Sequence, residues 1–223
     1  MGAEFGERAY GHLLGDAALT ASPVVANRDM NRERQLAGVN SYTRELGFNP
    51  VDVLTGDDAA WLDLCCGSGR ALTQAAAQSS HVTLVGVDLI DTFPDTGPTF
   101  VCASITDWTP DRAFDLITCV HGLHYVGDKL AALSRAASWL TPTGRFVADL
   151  DLTSIRLADG SPAGRRLTNL LRDNGFTYDP RTHRVSRTGL GTVDLPYTYL
   201  GADDHAGANY TGQPAVHSYY EPR

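Results

Sequence analysis

The stretch that most constrains this 223-residue chain is Trp61-Leu62-Asp63-Leu64-Cys65-Cys66-Gly67-Ser68-Gly69-Arg70. An apolar run carrying one acid ends in two glycines one residue apart, and a helical pattern of Ala71, Leu72, Ala75 and Ala76 follows at once. Strand, tight turn and helix in that order open an α/β sheet in which backbone N–H groups and a helix N-terminus face a ligand close to the main chain. Gly67 and Gly69 put no Cβ in the way of that approach. The turn alone also fits α/β proteins that need glycine merely to reverse the chain. A second feature narrows the choice. The next apolar run, His81 to Val87, ends on Asp88, roughly 20 residues beyond the glycines, where such a sheet places a carboxylate to accept both hydroxyls of a ribose.

From Ala60 onward strand-like and helix-like runs alternate, which predicts a mostly parallel α/β sheet. The expected strands are 60–65, 81–87, 98–103, 114–120 and 144–150, and the expected helices are 69–79, 127–140 and 162–174. Leu130, Leu133, Ala137 and Leu140 give the second helix an apolar stripe, while Ser161-Pro162 and Gly175 bound the third. Between Leu89 and Pro98 too little chain remains for a helix. Two antiparallel strands joined through Gly189-Leu190-Gly191 are expected between about 183 and 199, followed by a tail rich in Gly, Tyr and His. Residues 1–56 show no strand: a charged, helix-prone run from Asn31 to Leu36, a helix over Ser41–Leu46 closed by Gly47, and a short helix opened by Asn49-Pro50. They read as a helical lid over the open edge of the sheet, with 57–223 as the main domain and 181–223 as its antiparallel end.

A net charge of −8 and a sequence pI of about 5.2 argue against a general polyanion-binding surface. No aromatic-flanked tetrapeptide of the N/D-P-P-Y/F type points to DNA or RNA, so no nucleic-acid partner is expected. No apolar stretch reaches the length of a membrane span and the N-terminus lacks a signal-peptide pattern, so the expected location is the cytoplasm with no membrane contact. Cys65, Cys66, Cys102 and Cys119 each fall in or at the end of an expected strand without a C-x-x-C pair. They read as small apolar fillers, with no metal site.

Position 72 is Leu where a dinucleotide-binding G-x-G-x-x-G turn has its third glycine, and Asp63 stands just before the turn. A carboxylate there repels a pyrophosphate and attracts a sulfonium or amino group. The run D-L-C-C-G-S-G followed by V-G-V-D resembles motif I and the acidic loop of class I S-adenosylmethionine (SAM) dependent methyltransferases. The resemblance covers roughly residues 60–150. It implies a doubly wound, mostly parallel, seven-stranded Rossmann-like sheet, with SAM as cofactor and S-adenosylhomocysteine (SAH) as its product. It assigns Asp63, Cys65, Gly67 and Gly69 to the glycine-rich motif, Cys65 standing where the family more often has its first glycine. Asp88 matches the ribose acid and Leu89 the apolar residue that packs on adenine. Ser104 stands where family members often have an acid for the adenine amino group, with Asp107 as the substitute, and the Ile105 N–H meets a ring nitrogen. Phe114-Asp115-Leu116 and the following Leu123-His124 with Asp128 resemble the family's fourth-strand motif and the small-acid subgroup that includes trans-aconitate methyltransferases. Val120 and His121 would border the reactive methyl group. His124 would either enter the acceptor pocket or cap the turn with Asp128. Tyr42 would reach the methionine part from the lid, the alternative being an ordinary amphipathic helix.

Methyl transfer is an in-line displacement with a neutral thioether leaving, so alignment and desolvation supply much of the acceleration. A base matters only where the acceptor loses a proton as it attacks, and histidine is the natural candidate. His12, His121, His124, His205 and His217 qualify by residue type, with His121 and His124 placed nearest the chemistry by the resemblance. The expected acceptor is a small molecule methylated on O, N or C, such as a natural-product precursor. The alternatives are a non-catalytic SAM-binding scaffold of the same fold, a peptide or protein acceptor, and a nicotinamide-dependent reductase. Tyr197, Tyr199, Tyr210, Tyr219 and Tyr220 of the tail fit equally the wall of an aromatic acceptor site or a tyrosine-bearing edge strand.

Overall fold

The computed structural model describes residues 12–26 and 34–223. Ahead of the sheet it holds two short helices, α1 (Asp16–Thr20) and α2 (Tyr42–Leu46). The Ser41 hydroxyl caps α2 by accepting the Arg44 N–H at 3.2 Å, and Gly47, with φ +78°, closes it. Asn49 caps a 3-10 turn at Pro50–Val53. The expected helix at 31–36 lies partly outside the described residues. Its remainder is not helical, because Gln35 bridges to Ser41 and its carbonyl accepts the Tyr42 N–H at 2.9 Å.

Strands and helices then alternate as β1 (Ala60–Leu64), α3 (Arg70–Ala76), β2 (Thr83–Asp88), β3 (Thr99–Cys102), β4 (Phe114–Cys119), α4 (Lys129–Ser138) and β5 (Leu140–Asp149). They continue as β6 (Ile155–Leu157), α5 (Gly164–Asp173), β7 (Phe176–Asp179), β8 (Arg184–Thr188), β9 (Tyr197–Asp203) and β10 (His217–Pro222). Seven strands form one sheet in the order β3-β2-β1-β4-β5-β8-β7, with β8 antiparallel to both of its neighbours. This is a doubly wound, mostly parallel α/β fold.

β1 is buried along its whole length, as a central parallel strand must be. Ala60, Leu62 and Leu64 enter the core beneath α4 and α5, while Trp61 enters the opposite core with Tyr42, Leu46, Leu72 and Leu116. The period-2 alternation of a strand thus fixes which helices each residue meets. α4 begins where Asp128 Oδ1 accepts the Ala131 N–H at 2.9 Å, so that acid caps a helix rather than pairing with His124. No helix forms between β2 and β3, in keeping with Pro94 and Gly97.

The carboxyl end of the chain departs from expectation. Strand 184–188 does not pair with 192–199. Both of its edges are already taken, by β5 and β7, and the chain leaves through the loop 189–196 to a separate three-stranded sheet, β6-β10-β9. Tyr197, Tyr199 and Tyr220 pack within that sheet and its core contacts. Lys129, the single lysine of the chain, pins this sheet to α4: its buried Nζ donates to Val126 O, Val216 O and Ser218 Oγ at 3.0, 2.8 and 2.8 Å.

Those three acceptors are uncharged, and burial pushes the Lys129 ammonium down from 10.5 to about 7, against the pull of Asp151 and Asp128. The folded chain therefore releases a proton where the unfolded chain still holds it, and stability rises with pH across that window. Relative to Lys129→Met, the wild type is expected to gain about 1 kcal/mol per pH unit between about pH 7.5 and 9.5 in urea unfolding. Parallel stability curves for the two proteins are the opposing result.

Candidate functional site

A cavity of about 290 Å³ opens at the carboxyl ends of β1, β2 and β4. β1 runs between β2 on one side and β4 on the other, so the strand order reverses there and leaves the crevice in which open α/β sheets bind ligands. Cys65, Cys66 and Gly67 line it. Cys65 and Gly67 both take left-handed backbone, at φ +58° and +60°. For Gly67 this is unstrained. Cys65, where a glycine is the commoner residue, holds it at a cost of about 1 kcal/mol or more.

At the β2 end, Asp88 orients the turn. Its Oδ2 accepts the Gly67 N–H at 2.8 Å and its Oδ1 the Ile90 N–H at 3.2 Å. The carboxylate borders the cavity together with Leu89. Ser104 and Ile105 form the next part of the wall, the Ser104 hydroxyl paired with that of Thr106 at 2.7 Å. Asp107 is exposed and stands outside the cavity, where Thr106 takes its place in the lining. Val120, His121 and His124 line the end beyond β4, and Tyr42 and Arg34 approach from the N-terminal segment.

Two residues expected at the ligand serve the frame instead. Asp63 is only 1% exposed: Tyr42 Oη donates to its Oδ2 and Thr118 Oγ1 to its Oδ1, both at 2.6 Å. Thr118 in turn accepts the Trp61 Nε1–H at 2.8 Å. Burial pushes the Asp63 carboxyl up to about 7, opposed by the hydrogen bonds from Thr118 and Tyr42. Gly69, at φ +71°, does not border the cavity; a Cβ there would lie 2.1 Å from the Phe100 ring. The second glycine of the turn makes room for the partly buried ring of Phe100, not for a ligand.

Beyond β4, His121 is itself left-handed at φ +59°. Its ring Nε2 lies 3.4 Å from Glu45 Oε2 and 3.9 Å from Asp149 Oδ2, and its N–H donates to Asp149 Oδ2 at 3.2 Å. The hydrogen bond to His121 lowers the Glu45 carboxyl, whereas burial raises that of Asp149. Neither acid was singled out by the sequence. Asp149 had a legible signal, since it ends the strand flanking β4; Glu45 had none, because only folding brings α2 there. His124 is buried, with neither ring nitrogen hydrogen-bonded inside the protein. His205 is exposed beside Asp204, His12 meets Tyr219 and His217 lies on β10, so none of these three lines the cavity.

A family model described as a methyltransferase domain matches residues 31–184, well over half of the chain. The chain belongs to that family. Its fold is that of the class I SAM-dependent methyltransferases, and the cavity residues fit the nucleoside: the turn Cys65–Gly67, a carboxylate at Asp88 and apolar walls at Leu89, Ile105 and Val120. No curated protein matches the chain. Among solved structures, the N-methyltransferase NodS from Bradyrhizobium japonicum WM9 with SAH is 16% identical, over 82% of this chain and 97% of that one, with a TM-score of 0.45. The plantazolicin methyltransferase BpumL with SAH is 16% identical over 61% and 57%, with a TM-score of 0.46. SAM-bound CalS10, an amino pentose methyltransferase from Micromonospora echinaspora, is 19% identical over 44% and 45%, with a TM-score of 0.36. The match spans only 41% of another solved chain, the StiE O-MT residues 961–1257, and 57% of BpumL.

Two outcomes are expected for this chain. Asp88→Ala should weaken SAH binding by about 1–3 kcal/mol in calorimetry, since the carboxylate expected to accept both ribose hydroxyls is lost along with its tie to Gly67. Unchanged affinity is the contrary result. Tyr42→Phe removes one of two donors to a desolvated carboxylate and should cost about 1–3 kcal/mol of unfolding free energy in urea titration.

Proposed function

We propose that this chain transfers the methyl group of SAM to a small-molecule acceptor on oxygen, nitrogen or carbon. One observation carries the reading: a single cavity joins the residues suited to a nucleoside, Asp88 and Leu89, to the polar groups beyond β4, His121 and His124. When bound, SAM supplies an electrophilic methyl carbon on a sulfonium. The protein's part is to align and to keep water out. Asp88 would hold the ribose hydroxyls, Leu89 and Ile105 would flank the adenine, Ser104 would meet its polar edge, and the Cys65–Gly67 main chain would lie along the amino-acid part. Asp63 acts one step back, by fixing Tyr42.

The described residues of the segment 1–56 act as a lid in this reading, since Arg34, Tyr42 and the α1 residues Asp16 and Leu19 border the cavity. The second sheet contributes Thr211 and Gln213 from its connecting loop, so the acceptor end is walled on several sides. Such enclosure suits a small acceptor better than a polymer, and the charge of −8 disfavours nucleic acid. The four cysteines are free thiols, as suits the cytoplasm. Among the described residues no helix is long and apolar enough to cross a membrane.

SAH is expected to raise the melting temperature at concentrations where NAD does not. Incubation with SAM and a panel of hydroxylated, amino and carboxylic small molecules should then release SAH. A larger shift with NAD would sink the reading. Tight SAH binding with no turnover across the panel would favour a non-catalytic binding protein.

A further inference from the structure

Three acid–base groups from three separate elements converge just beyond β4. His121 follows the strand, Glu45 belongs to α2 and Asp149 ends β5. A histidine held in left-handed backbone costs about 1 kcal/mol or more and persists only where its surroundings impose it. Here Asp149 imposes it by binding the His121 N–H. The same Asp149 oxygen and Glu45 Oε2 flank ring Nε2, while the other Glu45 oxygen accepts from Arg34 at 3.2 Å, which holds that carboxylate in place. Arg184, whose Nη1 donates to Leu46 O, adds positive charge near both acids. With Nε2 turned to two carboxylates, the proton belongs on Nε2 and Nδ1 becomes the basic nitrogen.

His124 makes the contrast. Its ring lies 5.7 Å from that of His121, yet no carboxylate hydrogen-bonds it, and burial pushes it down to about 3. It is neutral at physiological pH, and with 1% exposure and no internal partner it has a donor and an acceptor to offer to a polar atom brought in from outside. Two neighbouring histidines whose surroundings differ this much are set to different tasks. Leu19, Val25 and Tyr125 add apolar surface to the cavity that the two histidines line.

We propose that His121 is the general base of the transfer, that Glu45 and Asp149 are its positioning residues, and that the acceptor is a phenol-type hydroxyl on an apolar ring. This rests on the methyl-transfer reading and narrows it. The acceptor O–H passes its proton to His121 Nδ1 as an oxygen lone pair forms the O–CH₃ bond. The S–CH₃ bond breaks with its electron pair kept by sulfur, which leaves as a neutral thioether. The imidazolium so formed lies against Glu45 and Asp149. A carboxylate acceptor has no proton to lose, and an amine attacks through its lone pair before it loses one. Among oxygen and nitrogen acceptors, a hydroxyl of this class is the one for which a seated base changes the rate.

The test uses 4-nitrophenol, whose anion is yellow and whose neutral form is not, titrated into the SAH-loaded full chain at a pH below the probe's own ionisation. Saturable binding with appearance of the yellow anion is expected. His121→Asn should bind the probe without colour, and its fold is safe because asparagine tolerates left-handed backbone. Glu45→Gln and Asp149→Asn keep the shape of each group and should each lower the ionised fraction of bound probe about tenfold. All three variants should bind SAH as the wild type does, which also reports that they are folded. Colourless binding to the wild type, equal colour in His121→Asn, or no saturable binding of the probe to a protein that binds SAH would each overturn the proposal and leave methyl transfer standing. Failure of SAH itself to bind removes the methyl-transfer reading, and this inference with it.

Discussion

A carboxylate stripped of water at the centre of the sheet is the constraint on which the site depends. Asp63 sits on the most buried strand and has to be met by donors, because leaving it bare would cost several kcal/mol. One donor comes from α2 and the other from β4, and the β4 donor is itself oriented by the Trp61 indole. The network closes only when α2 lies at one place over β1. That placement carries Glu45 to His121 on the same short helix. A structural requirement in the core therefore sets the geometry of the cavity wall above it.

The glycine turn shows how one motif divides its labour. Gly67 gives the main chain a left-handed step and its N–H to Asp88, which ties the first strand's turn to the tip of the second. Gly69 serves packing against Phe100. Cys65 bears the same backbone sign without a glycine's freedom, and its Cβ crowds the position of Gly122, so that residue 122 has no space for a side chain either. Strain at Cys65 and His121 brackets the cavity at the ends of the two strands that flank the crevice. Such outliers persist where a fold over-determines them and gather where ligands bind.

Much of the scaffold was legible in the residues because its signals are local. Apolar runs bounded by glycine or proline marked the first four strands to within about two residues, and Gly47, Asn49-Pro50 and Gly175 marked helix ends through capping chemistry. The fifth strand begins earlier than its apolar core suggests, since Leu140 to Gly144 also pairs with β4 across an irregular register. The partner of strand 184–188 was misread because hairpin pairing is inferred from proximity in sequence, whereas β8 is a slot between β5 and β7 that no hairpin to 192–199 fits. Asp107, the alternative to Ser104 that the resemblance offers at the adenine end, is turned to solvent, which leaves Thr106 at the cavity.

The sequence by itself determined the strand–turn–helix opening, the acid at Asp88, the alternation that builds a parallel sheet and the histidines that end up beside it. These follow from steric and hydrophobic preferences that act over a few residues. Tertiary structure alone decided that Asp63 and Gly69 serve the core, that the chain's last strands form a second sheet latched by Lys129, and that Glu45 and Asp149 flank His121 but not His124. Each of these depends on which groups lose water together across long separations in the chain, and electrostatics between desolvated groups leaves no periodic trace in the order of residues.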